Sequence, residues 1–321
     1  MRKLIIPLKL FLSFACLYYA FQKIDFYLTK DLLYSTTGVL ALIAGTAAMC
    51  LQTFFSTLRL KLLTKTFTHS ISLTESLKAS FMGNFFSQMA FSFVSGDAIR
   101  IWYLKQSLQT VKLATLTVVI DRCLGLFALS LLFLFTLPFL SHIPVLENNK
   151  LLIILSSVLV GCAMISFLYL LKKQQKSWVI EFIALMKKIF LNTYQTTSAL
   201  GLYSLLIHLC NVLVVYATLI FFEAPISFTQ CFIIMVPTML AMMFPFSIGG
   251  WGIREGAMLM GFAMINCPAE PVLAASILLG LSVLIANIPG LFFFLFEKNR
   301  APHLSEKINS TNTKDICAVI S

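Results

Sequence analysis

Long apolar runs broken by short polar islands dominate the chain. Apolar segments fall near 4–22, 36–58, 77–95, 113–140, 151–171, 200–222, 228–247, 254–266 and 272–296. Most are near the roughly twenty residues that a helix rising about 1.5 Å per residue needs to cross about 30 Å of hydrocarbon. Continuous runs favour helices, because a barrel strand would show alternation over about ten residues. The pattern therefore predicts an all-α, polytopic integral membrane protein of about eight transmembrane helices, with one or two broken or re-entrant segments.

Two segments do not fit simple crossings. The stretch 77–95 carries Asn84, Gln88 and several serines and ends in S-G-D, so it reads as a segment that dips in and returns, or as a broken helix. The stretch 254–266 is too short for an ordinary span and reads as a half-helix, although charge bookkeeping asks it to complete a crossing.

Composition agrees with this pattern. Hydrophobic residues make up 59% of 321 and charged residues 12%, with mean hydropathy +0.90. The formal charge of +11 does not point to nucleic acid, because the basic residues cluster between apolar windows, as expected of cytoplasmic loops. On that rule Arg2, Lys3 and Lys9, then Arg59, Lys61 and Lys65, then Lys172 to Lys188, then Lys298 and Arg300 lie inside, with both termini cytoplasmic. The start resembles a signal peptide, but Lys9 interrupts its apolar region, so it reads as a retained span. Residues 1–297 form one membrane domain, and the polar tail 298–321 reads as disordered.

Residues 172–190 read either as a helix lying on the anionic leaflet or as a solvated loop helix. Eight cysteines show no C-x-x-C pair and no ligand-spaced histidine, so neither a metal nor a cofactor is implied. There is no phosphate-binding G-x-x-x-x-G-K-[ST] loop, no G-x-S-x-G and no H-E-x-x-H. Pro237, Pro245 and Pro289 read as kinks, His208 and Asn211 as helix-to-helix hydrogen bonders, and Trp102, Trp178 and Trp251 as interfacial anchors.

Three polar islands carry the chemistry. F-S-F-V-S-G-D-A-I-R-I-W-Y-L-K (91–105) and P-F-S-I-G-G-W-G-I-R-E-G (245–256) align at constant offset, with Gly96 on Gly250, Ile99 on Ile253 and Arg100 on Arg254. They are either copies of one device or a chance likeness of short glycine-rich stretches. As copies they would be paired half-helices around a binding site, with Gly96, Gly249, Gly250, Gly252 and Pro245 at the breaks. The third island, V-V-I-D-R-C-L-G-L-F, puts Asp121 and Arg122 either within the hydrocarbon or in the headgroup zone. Being consecutive, they point about 100° apart and need partners from elsewhere.

Asp97, Asp121 and Glu255 would balance Arg100, Arg122 and Arg254 in one neutral network. Either a lipid phosphate enters it on the arginine forks, or the charges only lock helices together.

In this order, F-M-G-N-F-F-S-Q-M-A-F-S-F-V-S-G-D-A-I-R-I-W-Y-L, V-V-I-D-R-C-L-G-L-F and P-F-S-I-G-G-W-G-I-R-E-G-A resemble the membrane region of the lysylphosphatidylglycerol synthase/flippase family. The resemblance covers nearly all of residues 1–297. It implies a bacterial or archaeal cytoplasmic-membrane protein handling a lipid or lipid-linked substrate, with the six charged residues at matching motif positions. Ser95 stands where relatives often have a second glycine, and the chain ends without room for the soluble aminoacyltransferase domain, so lysine transfer by this chain is not expected. The expected function is binding and translocation of a phospholipid or polyprenyl-linked lipid between leaflets. The alternatives are a membrane-embedded lipid-group transferase and a membrane partner of a separate lipid- or glycan-synthesis enzyme.

Overall fold

A computed structural model describes residues 26–66, 70–89, 93–140, 177–190, 194–242 and 251–297. The expected spans at 4–22 and 151–171, the tail, Pro245, Gly249 and Gly250 lie outside the described residues. Among those described there is helix and no strand. The helices are α1 (Phe26–Tyr34), α2 (Thr36–Lys65), α3 (Leu73–Met89), α4 (Phe93–Ser107), α5 (Val111–Leu140), α6 (Ser177–Phe190), α7 (Tyr194–Phe221), α8 (Phe228–Met242), α9 (Ile253–Ala263) and α10 (Ala269–Ala286). After a turn at 287–288 the helix resumes at Pro289 and runs to 297, so that kink has its proline.

Among the described residues, four helical runs are long and apolar enough to cross a membrane: Thr36–Lys65, Val111–Phe139, Tyr194–Phe221 and Ala269–Glu297. The protein is an all-α polytopic membrane protein. Its outward surface is apolar where lipid would lie, with Ile43, Leu51, Leu131, Leu134, Phe135 and Leu202 exposed.

Between the long helices sit two hairpins of short ones. In the first, α3 and α4 run antiparallel: Ser95 Oγ donates to the Phe86 carbonyl at 3.1 Å, and near the open end Ser107 Oγ bonds Glu75 Oε1. Of the segment 77–95, residues 77–89 are therefore the first of two antiparallel arms, and 93–95 begin the second. Gly96 does not mark the break as expected. It is the fourth residue of α4, buried where a Cβ would overlap Ser87 Oγ and the Gly83 carbonyl, so its role is close approach of two helices.

In the second hairpin α9 packs back on α8, with Gly261 meeting Ile234 and Thr238. At 11 residues, α9 is about 16 Å long and cannot cross hydrocarbon alone. The crossing that charge bookkeeping asked of 254–266 is replaced by a return against α8.

The sequence explains why both first arms start where they do. Ser72 and Glu75 form a reciprocal cap, with Ser72 N donating to Glu75 Oε2 at 2.7 Å and Glu75 N to Ser72 Oγ at 3.2 Å. Ser227 and Gln230 do the same at 2.9 and 3.3 Å. Each pair satisfies N–H groups that the first helical turn leaves without partners.

The central pair is α2 and α7, which run antiparallel. Gly45 faces Val214, while toward the other end of α2 the Phe55 and Tyr203 rings stack at 6.5 Å and Arg59 reaches Ser204. α10 lies along α2, and Thr53 Oγ1 donates to Asn287 Oδ1 at 3.1 Å. α5 lies along α7, where His208 Nε2 meets the Gly125 carbonyl at 2.9 Å. Asn211 instead donates to the Ile207 carbonyl of its own helix. The lysine-rich helix α6 buries Phe182 and Ile189 against Leu63, Leu116, Leu124 and Leu200, leaving Ile180, Ile183, Lys187 and Lys188 exposed.

Candidate functional site

Asp121 lies on α5 and is 2% exposed. Arg59, on α2, clasps it with a two-pronged fork, Nε to Oδ1 at 2.8 Å and Nη2 to Oδ2 at 3.1 Å. The remaining nitrogen, Nη1, donates to Ser204 Oγ on α7 at 3.0 Å. Gly125, one turn beyond Asp121, leaves room for this guanidinium: a Cβ there would stand 3.3 Å from Nη1. Three long helices are thereby joined through one guanidinium, with the planar geometry that suits arginine.

Arg100 enters the same group from α4. Its Nη1 is 3.7 Å from Asp121 Oδ2, and its Nη2 donates to Asn84 Oδ1 at 2.7 Å. Asn84 passes the chain on, Nδ2 donating to Thr53 Oγ1 at 3.2 Å, and Thr53 continues to Asn287. Arg100 is 4% exposed, yet its Nε has no acceptor among the described residues. The close approach depends on Gly83, where a Cβ would overlap that guanidinium.

Beside them, Arg122 and Asp97 form their own pair, Nη2 to Oδ1 at 2.7 Å and Nε to Oδ1 at 3.0 Å. Their side chains are 38% and 24% exposed, so this pair sits at the rim of the buried one. Among the described residues the first group thus holds three arginines against two aspartates. One positive charge is in surplus, and the weakest-paired guanidinium is that of Arg100.

A second group forms at the start of α9. Glu255 Oε1 accepts from Arg254 Nη2 at 2.8 Å and Nε at 3.1 Å, and from Ser276 Oγ at 3.0 Å. Its Oε2 accepts the Gly252 N–H. Gly252 has φ 88°, a conformation that glycine adopts without strain. The Arg254 guanidinium lies 4.4 Å over the Trp251 ring and beneath Gly280, where a Cβ would come within 2.5 Å of Nη2. This group is neutral and well bonded, with both charged residues at most 2% exposed.

The six predicted charged residues do not form one network. Asp97, Arg100, Asp121 and Arg122 gather around the first hairpin, whereas Arg254 and Glu255 pair with each other at the second. Trp251, expected as an interfacial anchor, packs under Arg254; Trp102 packs against Phe294 at 5.6 Å. Arg59 is the largest omission. It was assigned to a cytoplasmic loop, but Leu60, Leu62 and Leu63 follow it, and that apolar continuation signals that the helix has not ended. Asn84 was visible as a polar residue in an apolar run. Ser204 and Ser276 gave no signal.

No group of three or more histidine, cysteine or acidic side chains able to hold a metal ion occurs among the described residues. A family model described as the lysylphosphatidylglycerol synthase TM region matches residues 6–290. The chain belongs to this family. The match spans both hairpins, three of the long helices, the fourth as far as Gly290, and both charged groups. As a member of the lysylphosphatidylglycerol synthase TM family, the chain is a multi-pass membrane protein of lipid modification or flipping. Comparison with curated proteins finds no match.

Proposed function

We propose that the protein receives the anionic head of an amphipathic lipid at Arg100 and carries that lipid between leaflets. The observation that carries this reading is the surplus cation: a buried guanidinium whose Nε has no acceptor among the described residues, set beside a carboxylate already claimed by Arg59. A buried charge without full compensation is costly, and such a site is completed by an anion arriving from outside. A phosphate suits it because its oxygens match an arginine fork.

The rim pair Asp97–Arg122 supports the same reading. A phosphate approaching Arg100 meets a half-exposed arginine first, where the carboxylate of Asp97 is exchangeable for a lipid oxygen. The glycines at 83 and 96 hold α4 against α3 and keep Arg100 at fixed depth. No nucleotide-binding loop is present in the sequence, so transport is downhill, ion-coupled or driven by a partner.

The test is a vesicle assay. Purified full-length protein in liposomes containing a fluorescent phosphatidylglycerol should bring the inner-leaflet label into reach of an external quencher faster than empty vesicles do. Arg100→Gln should lower that rate at least tenfold, while Lys187→Gln, on the exposed face of α6, should leave it unchanged. Wild-type protein no faster than empty vesicles would overturn the reading. A new lipid mass in the same vesicles would favour group transfer instead.

A further inference from the structure

We propose that α6 is an in-plane docking helix for the anionic surface of the leaflet at the lysine-bearing end of the bundle. Its isoleucines sit in the acyl boundary and its lysines on lipid phosphates. The surface stands apart from the Arg100 reading and shares no residue with that cluster.

α6 is held crosswise. Near its start Glu181 pairs with Lys112, in the first turn of α5. At its end the Ile189 carbonyl accepts from Thr197 Oγ1 at 2.8 Å, in the first turn of α7. The stretch between those two anchors is about 12 Å long, close to the roughly 8–10 Å between the axes of packed helices. A helix fastened at each end to the start of a different spanning helix lies across the end of the bundle, in the plane of the bilayer surface. This is also the end where α2 finishes, since Leu63 packs in one cluster with Phe182, Leu116 and Leu200.

The two long sides of α6 differ. Phe182 and Ile189 are buried, with Leu185 and Met186 packed beside them. On the opposite side, at steps of three and four residues, Ile180, Ile183, Ala184, Lys187 and Lys188 are exposed. Ile180 is 61% and Ile183 43% exposed, whereas a helix turned to bulk water carries polar residues on that side. Apolar side chains followed by lysines on one outward face suit a helix seated at headgroup level. There the isoleucines enter the acyl boundary and the ammonium groups reach up to phosphates.

Charge and position choose the occupant. Lys61, Lys65 and Lys105 are exposed at the same end. Among the described residues neither they nor Lys187 and Lys188 take part in an ion pair. The acids described there are already engaged: Glu181 by Lys112, Glu297 by Lys78, and Glu75 by Ser72 and Ser107. The opposite end, around the close of α7 and the start of α10, carries Glu223 and Glu270 instead. The excess of cations attracts an anionic leaflet, each lysine near the surface adding to the hold. Lipid-facing surface also continues directly below, because Val119 on α5 and Leu202 on α7 are exposed within about two turns of the α6 anchors. A bilayer edge supplies both chemistries at once, hydrocarbon for the isoleucines and phosphate for the lysines.

Full-length protein in a background without the eight native cysteines, with Ile183→Cys carrying a bimane fluorophore, provides the test. It is placed in vesicles of phosphatidylcholine alone or with a share of phosphatidylglycerol, each doped with a lipid bearing a nitroxide near the headgroup. Nitroxide quenching should be at least about twofold stronger in the anionic vesicles and should fall toward the phosphatidylcholine value in high salt. Lys187→Gln combined with Lys188→Gln should remove that difference. Lys187→Gln alone, which leaves Lys188 and both isoleucines in place, should retain most of it. Equal quenching in the two vesicle types overturns anionic recognition. Strong quenching by aqueous iodide with none from the nitroxide lipid overturns membrane docking and leaves a soluble partner as the occupant of the face.

A second measurement leaves the native cysteines in place. Amide hydrogen exchange over residues 180–188 of the wild-type protein should slow at least about twofold when phosphatidylglycerol is added to the vesicles. Exchange that ignores the lipid charge counts against the docking surface as firmly as the fluorescence result.

Discussion

Asp121→Asn should destabilise the protein by about 3–5 kcal/mol, the usual consequence of removing one partner of a buried ion pair. The carboxylate serves two guanidiniums, from Arg59 on α2 and Arg100 on α4, all within a part of the bundle that is at most 6% exposed. With the charge gone, two cations face each other in low dielectric with only Asn84, Ser204 and the new amide as partners. Asp97→Asn makes the contrasting case. Its pair with Arg122 is partly exposed, so water screens the loss, and about 1 kcal/mol or less is expected. Thermal unfolding of the two variants in one detergent compares them directly. Equal midpoints would show that water reaches Arg59 and Arg100.

Gly96→Ala should separate the arms of the first hairpin and abolish lipid movement. The added Cβ would overlap Ser87 Oγ and the Gly83 carbonyl. The hydroxyl cannot simply rotate away, because it already donates to that carbonyl at 2.8 Å, and the carbonyl is backbone within α3. Overpacking of this kind costs about 1–3 kcal/mol, more where backbone must shift, and the shift moves Arg100 out of register with Asp121. Gly256→Ala is the matched control. A Cβ there meets nothing within 4 Å, and removing glycine from a helix gains about 0.5–1 kcal/mol. Intact transport in Gly96→Ala, or its loss in Gly256→Ala, would contradict the packing argument.

The four long helices were legible as apolar windows because lipid contact demands continuous hydrophobic surface, and such surface is written directly in residue type. Their ends were less so. The window closing at residue 58 stops at the first charge, whereas α2 runs on to Lys65, because Arg59 is compensated by a carboxylate 62 positions away. No local pattern announces that partner. Asp121 and Arg122, pointing about 100° apart on one helix, find their partners on α2 and α4. The second glycine island aligned with the first by sequence, and the caps at Ser72 and Ser227 share one reciprocal geometry at the starts of the two first arms. Glu255 could not be distinguished from the other acids by sequence alone. One of its partners, Ser276, arrives from a helix begun after it.

The first hairpin is also fastened to the far end of the chain. Lys78 Nζ bonds Glu297 Oε1 at 2.7 Å, and Gly290, just past the proline turn, lies so close to Phe81 that a Cβ would overlap its carbonyl. The stem of α3 is therefore tethered to the last helical turns of the final span, with the Asn84–Thr53–Asn287 bonds beneath as a third fastening. Stem and tail form one block, set off from α10 by the turn at 287–288.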